Sequence, residues 1–255
     1  MTSIFWQEFA VLFIATLLGS AAVLPYGLRM AASKPLKFSK PTLYLLSIAQ
    51  GAVLFAVVIG LGLLAAHAVG FGAPYIEAML SGATAPDPIG LFTALVLGAI
   101  AGGILLIADL SFLPYWPEAL RGMALKTTTL ENFLASFYGS INEELLMRLF
   151  GFSILVWLLS FAWYPNVATY WIANIVMTIL FGLGHLPSLK RVVGSLPPLM
   201  VIRSLVLNAP IGLLCGGLFW TYGIEAAIIA HFSADIVYHV FGTFVLRRKL
   251  AANGA

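Results

Sequence analysis

Two adjacent glutamates and an arginine interrupt an otherwise apolar run, Ile141-Asn142-Glu143-Glu144-Leu145-Leu146-Met147-Arg148. Ionisable side chains at bilayer depth are costly unless they are paired or face a polar cavity, so the octet is a candidate site. On a helix Glu144 and Arg148, four apart, lie on one face and can pair. Glu143 sits about 100° further round and is the carboxylate left for chemistry. The competing reading is structural: a buried ion pair that fixes helix packing, with Glu143 satisfied by a neighbouring helix.

Other polar residues fall inside apolar segments. His185 closes Phe181-Gly-Leu-Gly-His185, and His231, Asp235 and His239 follow at four-residue spacing on one helix face. Asp109 and Arg203 stand nearer segment ends, and His67 reads as an interfacial histidine without a role. Each alone is more often a packing residue. Together, two carboxylates, two histidines and an aspartate at compatible depths are hard to explain as packing. A carboxylate near a histidine can hold and deprotonate a water, and a second histidine can donate to an oxyanion. That is a hydrolase layout without a protein nucleophile. The sequence has no His-Glu-x-x-His, Gly-Xaa-Gly-Asp or Gly-x-Ser-x-Gly motif. No cofactor is called for. Glu143, Glu144, His185, His231 and Asp235 nevertheless offer N and O donors that suit zinc, so a metal hydroxide stays open beside a carboxylate-activated water.

The elements that must position these groups are membrane helices. The 255 residues are 61% hydrophobic and 9% charged, which excludes an ordinary soluble domain. The chain reads as all-α, a single polytopic membrane domain with a polar intramembrane cavity. Seven spans are drawn near 8–28, 43–69, 89–112, 132–163, 167–186, 197–220 and 224–246. The first is read as a retained span, since the N-terminus lacks the basic region of a signal peptide. Arg29, Lys34, Lys37, Lys40, Arg121, Lys126, Lys190, Arg191, Arg247, Arg248 and Lys249 all follow odd-numbered spans. Their distribution predicts an outside N-terminus and a cytoplasmic C-terminus. A short surface helix is expected around Tyr75–Leu80, and an amphipathic interfacial piece over 113–131. Gly98 and Gly102 form a close-packing pair. Cys215, the single cysteine, reads as packing. No nucleic-acid motif is present.

In order on successive helices, Glu143-Glu144-x-x-x-Arg148, Phe181-x-x-x-His185 and His231-x-x-x-Asp235 resemble the CPBP family, also called the Abi family. It holds the type II CAAX prenyl endopeptidases and bacteriocin-processing proteins. The resemblance covers roughly 131–240, with the core motif helices within about 131–246. It implies a glutamate-dependent intramembrane endopeptidase open to the cytosol. Glu143 and His185 would activate the water, His231 and residue 235 would stabilise the oxyanion, and Glu144 and Arg148 would organise the site. The implied partners are the bilayer and a peptide or membrane-anchored, possibly prenylated, protein substrate, in a bacterial plasma membrane. The family typically carries asparagine where this chain has Asp235. An ionised aspartate cannot donate to an oxyanion, so Asp235 carries a proton, orients His231, or serves otherwise. The rival expectations are a non-catalytic scaffold or immunity protein of the same fold and, less favoured, a transporter.

Overall fold

The structure is a computed structural model that describes residues 3–31 and 38–252. Lys34 and Lys37, part of the predicted basic pattern, lie outside the described residues. The described residues form helices joined by short connections, with no strand among them.

The first half comprises α1 (Ser3–Ala31), α2 (Lys40–Ala68), a short α3 (Pro74–Ser81) and α4 (Ile89–Phe112). Ser39 caps α2, its side chain accepting from the Thr42 amide, and Gly82 ends α3 at φ 70°. A turn of 3₁₀-helix leads to α5 (Glu118–Lys126), where the amphipathic piece was expected. Thr128 then starts α6 (Thr129–Phe137) through a capping box with Glu131. Helical winding continues unbroken through Tyr138–Glu143 and Leu145–Phe152, both π-wound, into α7 (Ser153–Leu159). This composite, 129–159, is the central helix.

After an Asn166 capping box come α8 (Val167–Gly184), α9 (Leu186–Val193) and α10 (Pro198–Tyr222). Gly223, at φ 92°, turns the chain into α11 (Ile224–Asp235). A π-wound Ile236–Phe241 joins α11 to α12 (Gly242–Ala252).

Six described segments are long and apolar enough to cross a membrane: Ser3–Gly27, Lys40–Ala68, Ile89–Tyr115, Val167–Val193, Pro198–Tyr222 and Ile224–Ala252. The protein is therefore a polytopic all-α membrane protein. The expected count of seven is approximate. Its remaining member is the central helix, which carries the buried charges and stops at Leu159 rather than near residue 163. Large apolar side chains such as Leu45 (70% exposed), Val53 (71%) and Phe161 (73%) point outward, as lipid-facing residues do.

The central helix is enclosed by α1, α2, α8, α10 and α11. Its Leu145, Leu149 and Phe152 are buried against Ile59 and Leu63 of α2 and Phe219 of α10. Between lipid-bathed helices the hydrophobic effect gives little net drive, so close packing and buried polar contacts decide the arrangement. Both are present. A Cβ on Gly98 or Gly102 would overlap the backbone of Ala230 or Ala234, so these glycines let α4 lie directly on α11. Asn142, fully buried, donates to Thr16 O at 3.0 Å and Ser20 Oγ at 2.9 Å, which ties the central helix to α1. Asn132 ties it to the last helix through His239 O and Thr243 Oγ1.

Basic residues gather at one end. Arg29 pairs with Glu131 at 2.6 Å and donates to Lys126 O, and Arg247 donates to Ala124 O and Thr127 O. At the other end Glu225 accepts from the Tyr75 and Ile76 amides.

Candidate active site

The site forms midway along the central helix, where it is π-wound. In a π turn each amide reaches back five residues instead of four, which widens the turn and re-aims its side chains; such turns recur at functional sites. Here one π stretch ends on Glu143 and the next begins after Glu144, so the two carboxylates sit where they adjoin.

Glu144 belongs to a buried half. Its side chain is 0% exposed and that of Arg148 1%. Glu144 Oε1 accepts from His231 Nδ1 at 2.6 Å, and Oε2 lies 3.2 Å from Arg148 Nε. The guanidinium donates to Gly212 O at 2.8 Å and lies 5.4 Å from the centre of the Phe181 ring. The pairing expected from four-residue spacing thus forms, and α11 adds a histidine to it. Such a triad fixes geometry because removing Glu144 or Arg148 leaves the other as an uncompensated buried charge.

Glu143 and His185 form an accessible half, with side chains 26% and 38% exposed. His185 sits at the end of α8, its Nδ1 2.8 Å from Phe181 O. A carbonyl only accepts, so Nδ1 carries a proton, and in the neutral ring the Nε2 lone pair faces Glu143 Oε2 across 3.9 Å. Two acceptors at that separation make no hydrogen bond to each other. They are spaced to share one donor molecule.

Phe181 organises both halves: its ring meets His185 edge-on at 4.8 Å and His231 at 5.8 Å. Asp235 Oδ1 lies 3.7 Å from His231 Nε2 and 3.7 Å from His239 Nε2, too long for hydrogen bonds and short enough for charge interaction. Gly139 faces this pair, since a Cβ there would come within 2.8 Å of Asp235 Oδ2. An open apolar cavity of about 580 Å³, lined by Phe92, Leu95, Phe137, Ile141, Ile228 and Phe232 among others, includes none of the six candidate residues in its lining.

All six candidates, Glu143, Glu144, Arg148, His185, His231 and Asp235, are therefore brought into one cluster. Asp109 and Arg203 are not part of it. They pair with each other at 2.6 and 2.8 Å, and Tyr238 donates to the same carboxylate. His67 also lies apart from it, against Glu8 and Glu77. Sequence reasoning assigned no function to Phe181, Gly139 or Gly212. Phe181 was visible as part of the histidine motif; the other two act through space and backbone and leave no local signal.

The five N and O donors do not converge on one point. Glu144 Oε1 is already bonded to His231, and Oε2 lies against the Arg148 guanidinium. A three-donor group in this region, Glu144, Cys215 and His231, is fully enclosed and has the Arg148 cation against it, which opposes a second cation. The charge of Arg148 and the occupied Glu144 oxygens both weigh against a metal ion among these residues.

Residues 126–237 match the family model described as Type II CAAX prenyl endopeptidase Rce1-like. The matched segment contains every candidate site residue and agrees with the CPBP resemblance over roughly 131–240. No curated protein and no solved structure matches the chain.

Proposed function

With residues 126–237 matched to the Rce1-like type II CAAX prenyl endopeptidases, we propose that this protein is an intramembrane endopeptidase in which Glu143 activates a water. The supporting observation is the split of the two carboxylates. Glu144 is locked in a buried triad, while Glu143 is reachable and paired across 3.9 Å with a histidine whose lone pair faces it.

A water held between Glu143 and His185 donates one hydrogen to each. As its oxygen bonds to the scissile carbonyl carbon, Glu143 takes a proton. The carbonyl oxygen becomes an oxyanion and accepts from His231 Nε2–H. That ring then carries both protons, Nδ1–H being given to Glu144, and the charge is balanced by Glu144 and Asp235 on either side. Collapse breaks the C–N bond, and Glu143 returns its proton to the leaving amine. Asp235 acts here as an ionised partner of His231, which accounts for aspartate in place of the family's asparagine. The apolar cavity beside Phe137 and Phe232 suits a lipid chain on the substrate.

Cleavage of membrane-tethered peptides, with and without a prenyl group, by purified protein in detergent tests this reading. Cleavage should persist in chelator and fall at least about a hundredfold in His185→Ala. Ile229 also lines the apolar cavity, and narrowing it with Ile229→Trp should lower kcat/KM for the prenylated peptide by about tenfold and leave the unprenylated one nearly unchanged. Loss of cleavage in chelator would overturn the metal-free mechanism. Equal losses for both peptides would remove the lipid assignment.

A further inference from the structure

At the end of the bundle opposite the basic residues, Glu8 of α1 is fully buried, yet neither of its carboxylate oxygens has a hydrogen-bond partner among the described residues. A carboxylate removed from water in this way needs a compensating charge. Its Oε2 points at His67 Nε2, 3.2 Å away in the last turn of α2. Glu77 of α3 brings Oε1 to 3.8 Å from the same nitrogen. The three donor atoms lie within 4.8 Å of one another. A Cβ on Gly72 would overlap Glu77 Oε1, so glycine there is what lets Glu77 fold back toward His67. The Ala73 amide, donating to the same oxygen at 3.1 Å, holds it in that pose.

One imidazole cannot satisfy this arrangement. Nε2 gives its single proton to one carboxylate at a time, and one positive charge faces two negative ones. A dication bound to neutral His67 and both carboxylates balances the cluster completely. We propose that Glu8, His67 and Glu77 bind a divalent transition-metal ion, zinc by donor type, that clamps α1, α2 and α3 together. Tetrahedral zinc with ligands at about 2.0–2.1 Å places donors roughly 3.3–3.4 Å apart, so the present 3.2 and 3.8 Å separations from Nε2 need only a small inward shift of Glu77. The His67 and Glu77 side chains are each 40% exposed, so solvent can supply a further ligand. The site is structural and independent of the Glu143 chemistry.

The test uses the full chain, purified in detergent, stripped with chelator and titrated with zinc, with bound metal counted by elemental analysis. Cobalt(II) in place of zinc gives a visible absorption signature. One equivalent should bind to wild type and equally to a Glu143→Gln/His185→Ala double variant. His67→Gln should lose it. Glu77→Gln keeps the Ala73 hydrogen bond, so it should fold normally yet bind at least about a hundredfold more weakly. Zinc should raise the thermal midpoint of wild type and leave that of Glu77→Gln unmoved. An equivalent that persists in His67→Gln or Glu77→Gln would overturn the proposal, as would no saturable binding below about 100 µM zinc.

Discussion

The two adjacent glutamates have opposite surroundings. Glu144 meets a guanidinium and an imidazole and no solvent, whereas Glu143 keeps a quarter of its side chain accessible. Removing Arg148 would strand a buried carboxylate beside His231. Arg148→Met should therefore destabilise the protein by about 3–5 kcal/mol, read as a large drop in thermal midpoint. His231→Ala should lower kcat by about 10²–10³, the usual loss of an oxyanion donor. At this scale much of the site was legible in the sequence. The four-residue spacings of Glu144 with Arg148 and of His231 with Asp235 act within one helix, where geometry follows from numbering. The hydrogen bond between Glu144 and His231 joins residues 87 apart and could not be read locally. Glu8 was overlooked for the same reason: a lone glutamate early in a span has no visible partner until folding brings His67 and Glu77 to it.

Elements aim these residues. The spans were legible because apolar runs long enough to cross a bilayer are rare in other settings. The π winding on either side of Glu144 was not, since apolar periodicity reports which face is buried and not the reach of each amide. Gly98 and Gly102 were legible as a packing pair, but their partner, the α11 backbone that carries His231, was not. A bulky residue at either position must push α11 away. Gly102→Leu should therefore lower both the thermal midpoint and cleavage. At the start of the central helix, burial pushes the Glu131 carboxyl up, but the Thr128 amide and the Arg29 guanidinium outweigh it and hold the group below the usual carboxylate range. A folded-state value below the unfolded one means stability that is present above the unfolded value and lost as pH falls through the folded one. The thermal midpoint should thus fall on acidification below about pH 4, less steeply in Glu131→Gln. Arg29 is largely exposed, so the effect is small.

For the molecule as a whole, the bundle separates a basic end from an end where α3 and the turn into α11 meet. Residues near 84 and 249 lie on opposite ends, and the positive-inside rule predicts that the basic one faces the cytoplasm. Cys215 is buried and leaves single-cysteine labelling clean. An impermeant maleimide should label Thr84→Cys in intact cells and Lys249→Cys after lysis alone; the reverse pattern would invert the orientation.

The central claim is that catalysis rests on Glu143 and architecture on Glu144. Its most direct test compares Glu143→Gln with Glu144→Gln for both kcat/KM and thermal midpoint. Glu143→Gln should lower kcat/KM by about 10²–10⁴ while the midpoint stays near wild type. Glu144→Gln should lower the midpoint sharply, by leaving Arg148 buried without its counter-charge. Cleavage by Glu143→Gln within about tenfold of wild type would contradict the account and return the base to another residue.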